Sequence, residues 1–201
     1  MSEFDEVVRR RRMCRSFRTD PVASELVDSL VDLAARAPSA GKTQGWHLVV
    51  LEGAQTDRFW RHTFAPARRD GFRWPGLFDA PVILLPFADP DAYVARYAEP
   101  DKARTGLGAG AEAWPTPYWT VDASMSVMTL LLAAEDAGLG ALFFAVFHGA
   151  AEVRAELGVP DGMQLLGAIA LGWPDVADEH RGASASRPRR TAAEIVHRGG
   201  W

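Results

Sequence analysis

Five segments of the chain are predicted to be helices, the clearest of them from apolar residues at helical spacing. Leu26, Leu30 and Leu33 follow this spacing in the second segment. The strongest pattern spans residues 122–137, where apolar side chains wrap most of the surface, so this helix is expected to be buried, in part against a second subunit. Gly138 is a natural C-terminal cap for it. The five predicted helices cover residues 2–12, 26–36, 54–62, 122–137 and 150–157.

Short apolar runs predict four strands among these helices. The run 80–86 contains no polar side chain, which indicates a strand buried on both faces. The four predicted strands cover residues 47–52, 80–86, 141–147 and 165–171. Residues 64–78 and 89–120 carry no predicted element. The alternation of helices and strands suits a mixed α/β sandwich, and a chain of 201 residues is expected to form a single domain.

Composition and charge narrow the class of protein. A formal net charge of -4 argues against general nucleic-acid binding. A minor alternative is nucleic-acid binding through a basic patch at the arginine-rich N-terminus. Such binding would show as a DNA affinity that falls steeply with increasing salt. No apolar run reaches the ~18 residues of a membrane span, and the acidic N-terminus lacks the apolar region of a signal peptide. A cytoplasmic protein is therefore expected.

A run of small and polar residues joins the second helix to the first strand. It reads APSAGKTQGW over residues 37–46. Pro38 is expected to end the helix, and the small residues after it are expected to leave backbone N–H groups open to a ligand. Lys42 and Gln44 add a cation and an amide. Such a loop is suited to a flat, polar cofactor.

Two arginine clusters lie at opposite ends of the chain. They are Arg11, Arg12 and Arg15 near the N-terminus, and Arg187 and Arg189 near the C-terminus. The first cluster straddles the turn Met13-Cys14, so several guanidiniums could converge on one phosphate. A solvated basic helix end is the alternative. Phosphate-binding guanidiniums beside a flat pocket would suit flavin mononucleotide (FMN), whose ring supplies hydride chemistry.

Other chemistries lack their usual residue spacing. The five histidines are scattered and offer no metal-ligand pattern. Ser39 lacks the flanking glycines of a nucleophile elbow. Residues 106–111 fit the loose pattern G-x-G-x-x-A, but no predicted strand precedes them, so they are not interpreted as a dinucleotide fingerprint. Cys14, the single cysteine, allows no intrachain disulfide.

Five segments, in order and spacing, resemble signatures of the nitroreductase family of FMN-dependent oxidoreductases. They are RRMCRSF at 11–17, APSAGKTQGW at 37–46, GLG at 138–140, LLGAIALGWP at 165–174, and RPRR with EIVH at 187–190 and 194–197. Together they extend over nearly the whole chain and leave about residues 55–120 unmatched.

The resemblance implies an α+β sandwich with a central mixed β-sheet flanked by helices, paired as an intertwined homodimer with two FMN sites at the interface. Arg11, Arg12, Met13 and Arg15 correspond to its phosphate- and ribityl-binding segment, and Pro38, Ser39, Ala40, Lys42 and Gln44 to a loop lent by the partner subunit. Ala145 and Val146 correspond to backbone groups near the flavin ring, and Arg187 and Arg189 to terminal phosphate-binding cations. The C-terminal extension, about 177–201, is expected to wrap the partner.

The chain departs from the family pattern at a few of these positions. The family usually has serine where Met13 stands, asparagine where Lys42 stands, proline where Gly45 stands, and small residues at Ala145 and Val146. An ammonium near the N1–C2 carbonyl edge of the flavin would stabilise the anionic reduced form and raise its potential. The alternative is that Lys42 points into solvent.

The resemblance implies an FMN-dependent oxidoreductase that works by ping-pong hydride transfer. A reduced nicotinamide nucleotide (NADH or NADPH), or a similar donor, reduces flavin N5, and a nitroaromatic, quinone or enone then accepts the hydride. No acid or base is needed, so no catalytic residue is predicted. Aromatic residues of the unmatched middle are predicted to bind the acceptor, with ordinary core packing as the alternative: Phe72, Trp74, Trp114, Tyr118 and Trp119. The alternative function is a flavin-binding protein without turnover.

Overall fold

Seven α-helices and five β-strands make up the described part of the chain, residues 2–69, 71–175 and 186–201, in this computed structural model. The helices are α1 Glu3–Arg10, α2 Ser24–Ala34, α3 Asp57–Thr63, α4 Pro90–Ala98, α5 Tyr118–Asp136, α6 Ala150–Leu157 and α7 Ala192–Ile195. The strands are β1 Trp46–Glu52, β2 Val82–Ala88, β3 Gly140–Phe144, β4 Gln164–Leu165 and β5 Ala168–Gly172.

The strands form one sheet in the order β1-β2-β5-β3, with β4 paired to the end of β2. Within the described ranges, each pairing between two strands is antiparallel. Parallel pairing enters through the isolated bridge between Met13 and Ala141. The expected mixed sheet is therefore antiparallel in its strands, and the parallel component is confined to this bridge at the β3 edge.

β2 lies at the centre of a three-layer sandwich. Val82 and Leu84 belong to a core cluster with α2 and α5, whereas Ile83 and Leu85 belong to a second cluster with α3 and α6. Successive side chains of a strand point to opposite faces of the sheet. The prediction that this run is buried on both faces is confirmed.

α5 ends as predicted, at a glycine cap. Gly138 has a φ of 77°, its N–H donates to Glu135 O at 3.1 Å, and the N–H of Leu139 donates to Ala134 O at 2.8 Å. These two bonds form a Schellman motif. The helix begins earlier than predicted, at Tyr118.

Several elements differ from the predictions: α7 was not predicted, and the predicted strand 141–147 ends at Phe144. α4 was not predicted, because the prolines of its region suggested chain breaks. Pro90 instead occupies the first helical position, where a missing N–H costs nothing, and Asp89 caps the helix by accepting from Ala92 N at 3.2 Å. The predicted strand 165–171 is divided into β4 and β5, which are separated by Leu166 and Gly167.

Glu156 of α6 fastens this helix to α3. Its carboxylate accepts from Arg58 Nε at 3.0 Å and from both Nε and Nη2 of Arg61, and it lies 2.5 Å from His62 Nε2. The bonds from Arg61, His62 and Arg58 lower the pKa of Glu156 from 4.5 to about 2. Because the folded pKa is depressed, the stability that this carboxylate adds is complete above pH 4.5 and is lost as the pH falls toward 2.

Glu156→Gln is expected to lower the melting temperature at neutral pH, with a deficit that shrinks as the pH falls from 4.5 to 2. The amide keeps the size of the side chain but cannot retain the charge that three basic groups surround. Thermal unfolding followed by circular dichroism across this range measures the effect. Glu152→Gln, at an exposed position of the same helix, is the control. A deficit that stays constant down to pH 2 would contradict the assignment.

Candidate functional site

The loop between α2 and β1 has an unusual backbone. Residues Ala40–Lys42 form one 3-10 turn, and φ is 63° at Gly41, 55° at Lys42 and 56° at Gln44. A lysine or glutamine rarely adopts this left-handed conformation, which persists only where the surrounding structure imposes it. Strained positions of this kind cluster at ligand sites.

Several backbone N–H groups of this loop are already hydrogen-bonded within the chain. The N–H of Ala40 donates to Asp122 Oδ2 at 2.7 Å. The N–H of Gln44 donates to Ser39 Oγ at 3.0 Å, and the N–H of Lys42 donates to Ser39 O at 2.9 Å. The sequence predicts open N–H groups at Ser39, Ala40 and Gly41. This prediction is wrong at Ala40, because the loop folds onto a buried carboxylate.

α4 supports the loop from another side. Arg96 Nε donates to Gly41 O at 2.9 Å, and Asp101 holds the same guanidinium with two bonds of 2.8 Å. A Cβ on Gly45 would lie 2.8 Å from a ring carbon of Tyr93. The space that a side chain would need at position 45 is therefore filled by α4, which explains why glycine stands where the family usually has proline.

A cavity of about 590 Å³ opens between the end of α2 and this loop. Its lining residues are Asp32, Ala35, Arg36, Ala37, Pro38, Ser39, Lys42 and Gln44. Pockets for small molecules and cofactors span ≈ 300–1,000 Å³. Of the five loop residues predicted to bind the cofactor, all except Ala40 line the cavity.

The first arginine cluster lies along β3. Met13 forms the bridge with Ala141, and the N–H of Cys14 donates to Ala141 O at 2.9 Å. The guanidinium of Arg15 lies 5.3 Å from the ring centroid of Trp74 and donates to Met13 O at 3.3 Å. At the other end of the same strand follow Ala145, which is exposed, and Val146, which is half-buried. β3 therefore connects two of the predicted cofactor segments.

The loop and the first arginine cluster stand at opposite edges of the sheet. β1, which the loop enters, and β3 are the outermost strands of the order β1-β2-β5-β3. Three strand spacings separate them by about 14 Å. The register places the start of β1 at the same end of the sheet as the end of β3, where Ala145 and Val146 follow, whereas Met13 pairs with the start of β3. One chain thus separates the loop from the arginine segment by at least the width of its sheet.

The C-terminal prediction is only partly within the described residues. The predicted extension begins near residue 177, and residues 176–185 lie outside the described ranges. Arg187 and Arg189 are exposed. Ile195, Val196 and Trp201 are also exposed in this chain. Wrapping of the partner subunit stays a prediction.

The aromatic residues predicted to bind an acceptor fall into two clusters. Phe72 and Trp74 contact each other, with ring centroids 5.7 Å apart, and Phe72 also contacts Phe78. Because Arg15 lies over Trp74, this first cluster adjoins the arginine segment.

The second aromatic cluster lies beneath the loop, around Tyr93. Trp114 and Trp119 are buried there, and their indole N–H groups donate to Leu107 O and to Gln164 Oε1, both at 3.0 Å. These contacts are those of core packing. Tyr118 is the exposed member of this group.

Some residues at the site were not predicted. Asp122 and Arg96 hold the loop, and Phe147, directly after Val146, has a side chain 84% exposed. A carboxylate inside a strongly apolar helix was the available signal for Asp122. The bond from Arg96 to the loop could not be predicted, because Arg96 belongs to α4 and no sequence pattern predicted this helix.

Other kinds of site find no support in the described ranges. Residues 106–111 lie in 3-10 turns after α4 rather than after a strand. Across the described residues, no three His, Cys, Asp or Glu side chains gather as metal ligands, and no helix has both the length and the apolarity of a membrane span.

Relatives match over most of the chain. The nitroreductase family model matches residues 8–173. NADH dehydrogenase of Thermus thermophilus is 30% identical over 181 residues, which cover 82% of this chain and 83% of the relative. 5,6-Dimethylbenzimidazole synthase of Rhodospirillum rubrum is 31% identical over 190 residues, covering 88% of this chain and 83% of the relative.

Solved structures share the fold. The nitroreductase family protein of Streptococcus pneumoniae TIGR4 superposes with a TM-score of 0.72 at 21% identity, over 97% of this chain and 99% of that one. A protein of Exiguobacterium sibiricum, assigned as a nitroreductase and crystallised in complex with FMN, gives a TM-score of 0.73 at 16% identity, over 98% and 97%. The predicted α+β fold is confirmed. Since the family match spans most of its length, this chain belongs to the nitroreductase family.

Proposed function

We propose that the protein is an FMN-dependent oxidoreductase that binds its cofactor between two subunits. The observation that carries the proposal is the loop at residues 38–44, whose left-handed backbone borders a cavity of cofactor size in a chain of this family. Related folds from Exiguobacterium sibiricum and Desulfovibrio desulfuricans were crystallised in complex with FMN.

The residues present fit this cofactor. Arg11, Arg12 and Arg15 would bind the phosphate, since planar guanidiniums match phosphate oxygens. Lys42 and Gln44, which line the cavity, would contact the polar edge of the flavin. Arg187 and Arg189 would add further cations, and Met13, Ala145 and Val146 would border the ribityl chain and the ring.

Two subunits would bring the separated parts of the site together. Tyr118, Val121 and Met128 form an exposed stripe on α5, with 43%, 38% and 42% of each residue accessible. They recur at helical spacing on one face, and Leu33 of α2 is exposed as well. Isologous pairing across the α5 stripe would cover these apolar side chains and bring the loop of one chain toward the arginine segment of the other.

Bound FMN would supply hydride transfer, from a reduced nicotinamide nucleotide to a planar acceptor such as a nitroaromatic, quinone or enone. The chain's own residues bind and orient, because positioning within hydride distance accounts for most of the rate. Phe72 and Trp74 offer aromatic faces to a planar acceptor, and Tyr118, the first residue of α5, would border the acceptor from the end of the paired stripe. The buried Trp114 and Trp119 would support this surface from below.

The test is the visible spectrum of the purified protein and of the supernatant after heat denaturation. We expect a yellow protein that releases about one FMN per chain, as one site per subunit requires. A protein that stays colourless after incubation with excess FMN and desalting would overturn the proposal. The protein could also be yellow and yet show no reduction by a nicotinamide donor and no reoxidation by an acceptor. That result would favour the alternative function, a flavin-binding protein without turnover.

Lys42→Asn is expected to lower the flavin midpoint potential by roughly 30 mV, the equivalent of 1.4 kcal/mol for a two-electron couple. An ammonium on the cavity wall favours the anionic reduced cofactor, and the amide removes that charge. Spectroelectrochemical titration of the FMN-loaded protein measures the shift. Lys102→Asn removes the same charge from a residue that lies against Tyr97 and is the control. Equal potentials in the wild type and Lys42→Asn would show that the ammonium points into solvent.

A further inference from the structure

α5 carries one buried carboxylate, Asp122, within its apolar surface. The residue is only 4% exposed. Its Oδ2 atom accepts two hydrogen bonds, from the N–H of Ala40 at 2.7 Å and from the hydroxyl of Tyr93 at 2.8 Å. A buried charge is costly unless hydrogen bonds compensate it. The two hydrogen bonds therefore compensate the burial of the carboxylate, and the carboxylate supplies the acceptor for both donors.

The two donors to Asp122 come from different kinds of structure. Tyr93 belongs to α4 and is itself fully buried, and burial, with a smaller contribution from Asp122, raises the pKa of its phenol above the usual value. The phenol thus stays protonated and donates. Ala40, in contrast, is the first residue of the 3-10 turn that leads into the left-handed backbone of Gly41 and Lys42.

We propose that Asp122 is a positioning residue, which fixes the cofactor loop through the Ala40 N–H so that Lys42 and Gln44 line the cofactor cavity. This inference rests on the proposed function. Charge-assisted bonds that a backbone N–H donates to a carboxylate are roughly twice as strong as neutral ones. Here one such bond holds a segment whose left-handed residues would otherwise relax to ordinary backbone angles.

This bond attaches the start of the loop to the body of the protein, and the N–H of Asp89, which donates to Gly45 O at 3.0 Å, attaches its far end. Arg96 reaches the loop only through Gly41 O, and the remaining bonds of the turn are local ones between Ser39 or Ala40 and the residues after them. Local bonds of this kind fix the turn but do not attach it to the body of the protein. Asp122 provides the attachment at the start of the turn, and Arg96 provides it one residue later.

Two variants alter the bond from opposite sides. Asp122→Asn keeps the shape of the side chain and an acceptor oxygen but removes its charge, so the bond from the Ala40 N–H becomes a weaker, neutral one. Ala40→Pro removes the N–H itself and leaves Asp122 and its bond with Tyr93 in place. Ser39 is extended, with φ -138° and ψ 147°, as a residue before proline prefers, and position 40 begins a helical turn, where proline is accepted. If Asp122→Asn fails to fold, Ala40→Pro still tests the bond.

We expect both variants to bind FMN about tenfold more weakly, as measured by quenching of FMN fluorescence on titration into the apoprotein. In the apoprotein, hydrogen exchange at the amides of Lys42 and Gln44 should become faster, while the amides of β2 keep their protection. Tyr93→Phe is the matched control, since it removes the other donor to the same oxygen and leaves the Ala40 bond. Its FMN affinity should change less than about threefold, whatever its melting temperature.

Wild-type affinity and wild-type loop exchange in both Asp122→Asn and Ala40→Pro would overturn the inference. An equal loss of affinity in Tyr93→Phe would also overturn it, because the carboxylate would then act on the core in general. A wild-type protein that binds no FMN would overturn the proposed function instead. In that case the exchange rates still decide whether Asp122 positions the loop.

Discussion

Met128→Glu is expected to yield a monomer that no longer retains FMN. Met128 lies in the exposed stripe of α5, together with Tyr118 and Val121. An uncompensated charge buried in a subunit interface costs about 3 kcal/mol or more, which corresponds to a roughly hundredfold loss in pairing. If each cofactor site combines the loop of one chain with the arginine segment of the other, the monomer has only half a site. Light scattering and flavin absorbance after desalting measure the two losses together.

The control for this variant adds the same charge elsewhere. Ala151→Glu places a glutamate at an exposed position of α6, away from the α5 stripe. It should leave both the oligomeric state and the bound flavin unchanged. A Met128→Glu monomer that still carries FMN would contradict the division of the site between subunits, and a dimer that persists would contradict pairing through the α5 stripe.

Gly45→Pro, which restores the residue usual in the family, is expected to destabilise this protein by about 2 kcal/mol. A Cβ at position 45 would lie 2.8 Å from the Tyr93 ring, 3.1 Å from Ala92 Cβ and 3.2 Å from Asp89 O. α4 leaves no space for it. For a chain of this size the melting temperature should fall by about 6 °C, as followed by circular dichroism.

Gly45→Ala in a Tyr93→Leu background tests the cause. Loss of the ring edge gives the added Cβ more space, so the cost of Gly45→Ala should be smaller there than in the wild type. A double-mutant cycle measures this coupling. If the cost is the same in both backgrounds, the contact with Tyr93 is not what excludes a side chain at position 45.

Much of the architecture could be predicted from local patterns. The apolar run at 80–86 indicated a strand buried on both faces, and β2 is buried throughout. Helical spacing and Gly138 indicated α5 and its cap, both of which the structure contains. Such predictions succeed because periodicity and capping depend on neighbouring residues.

The arrangement of the site could not be predicted in the same way. The bond from Ala40 to Asp122 joins residues 82 positions apart, and no spacing rule connects them. α4 was hidden by Pro90, which reads as a chain break unless its place at a helix start is known. The long-range contact with Asp122 also occupies the N–H of Ala40, so the prediction that this group is open to a ligand was wrong.

If two copies of the chain share each cofactor site, the position of the loop and the arginine segment at opposite sheet edges has a genetic consequence. Suppose that one copy of the chain carries a defective arginine segment and another carries a defective loop, so that each is inactive by itself. In a mixed pair, the sound arginine segment of one copy meets the sound loop of the other, and one of the two sites is restored. Co-expression of two inactive alleles would then recover activity, whereas a site contained within a single chain would not allow such complementation.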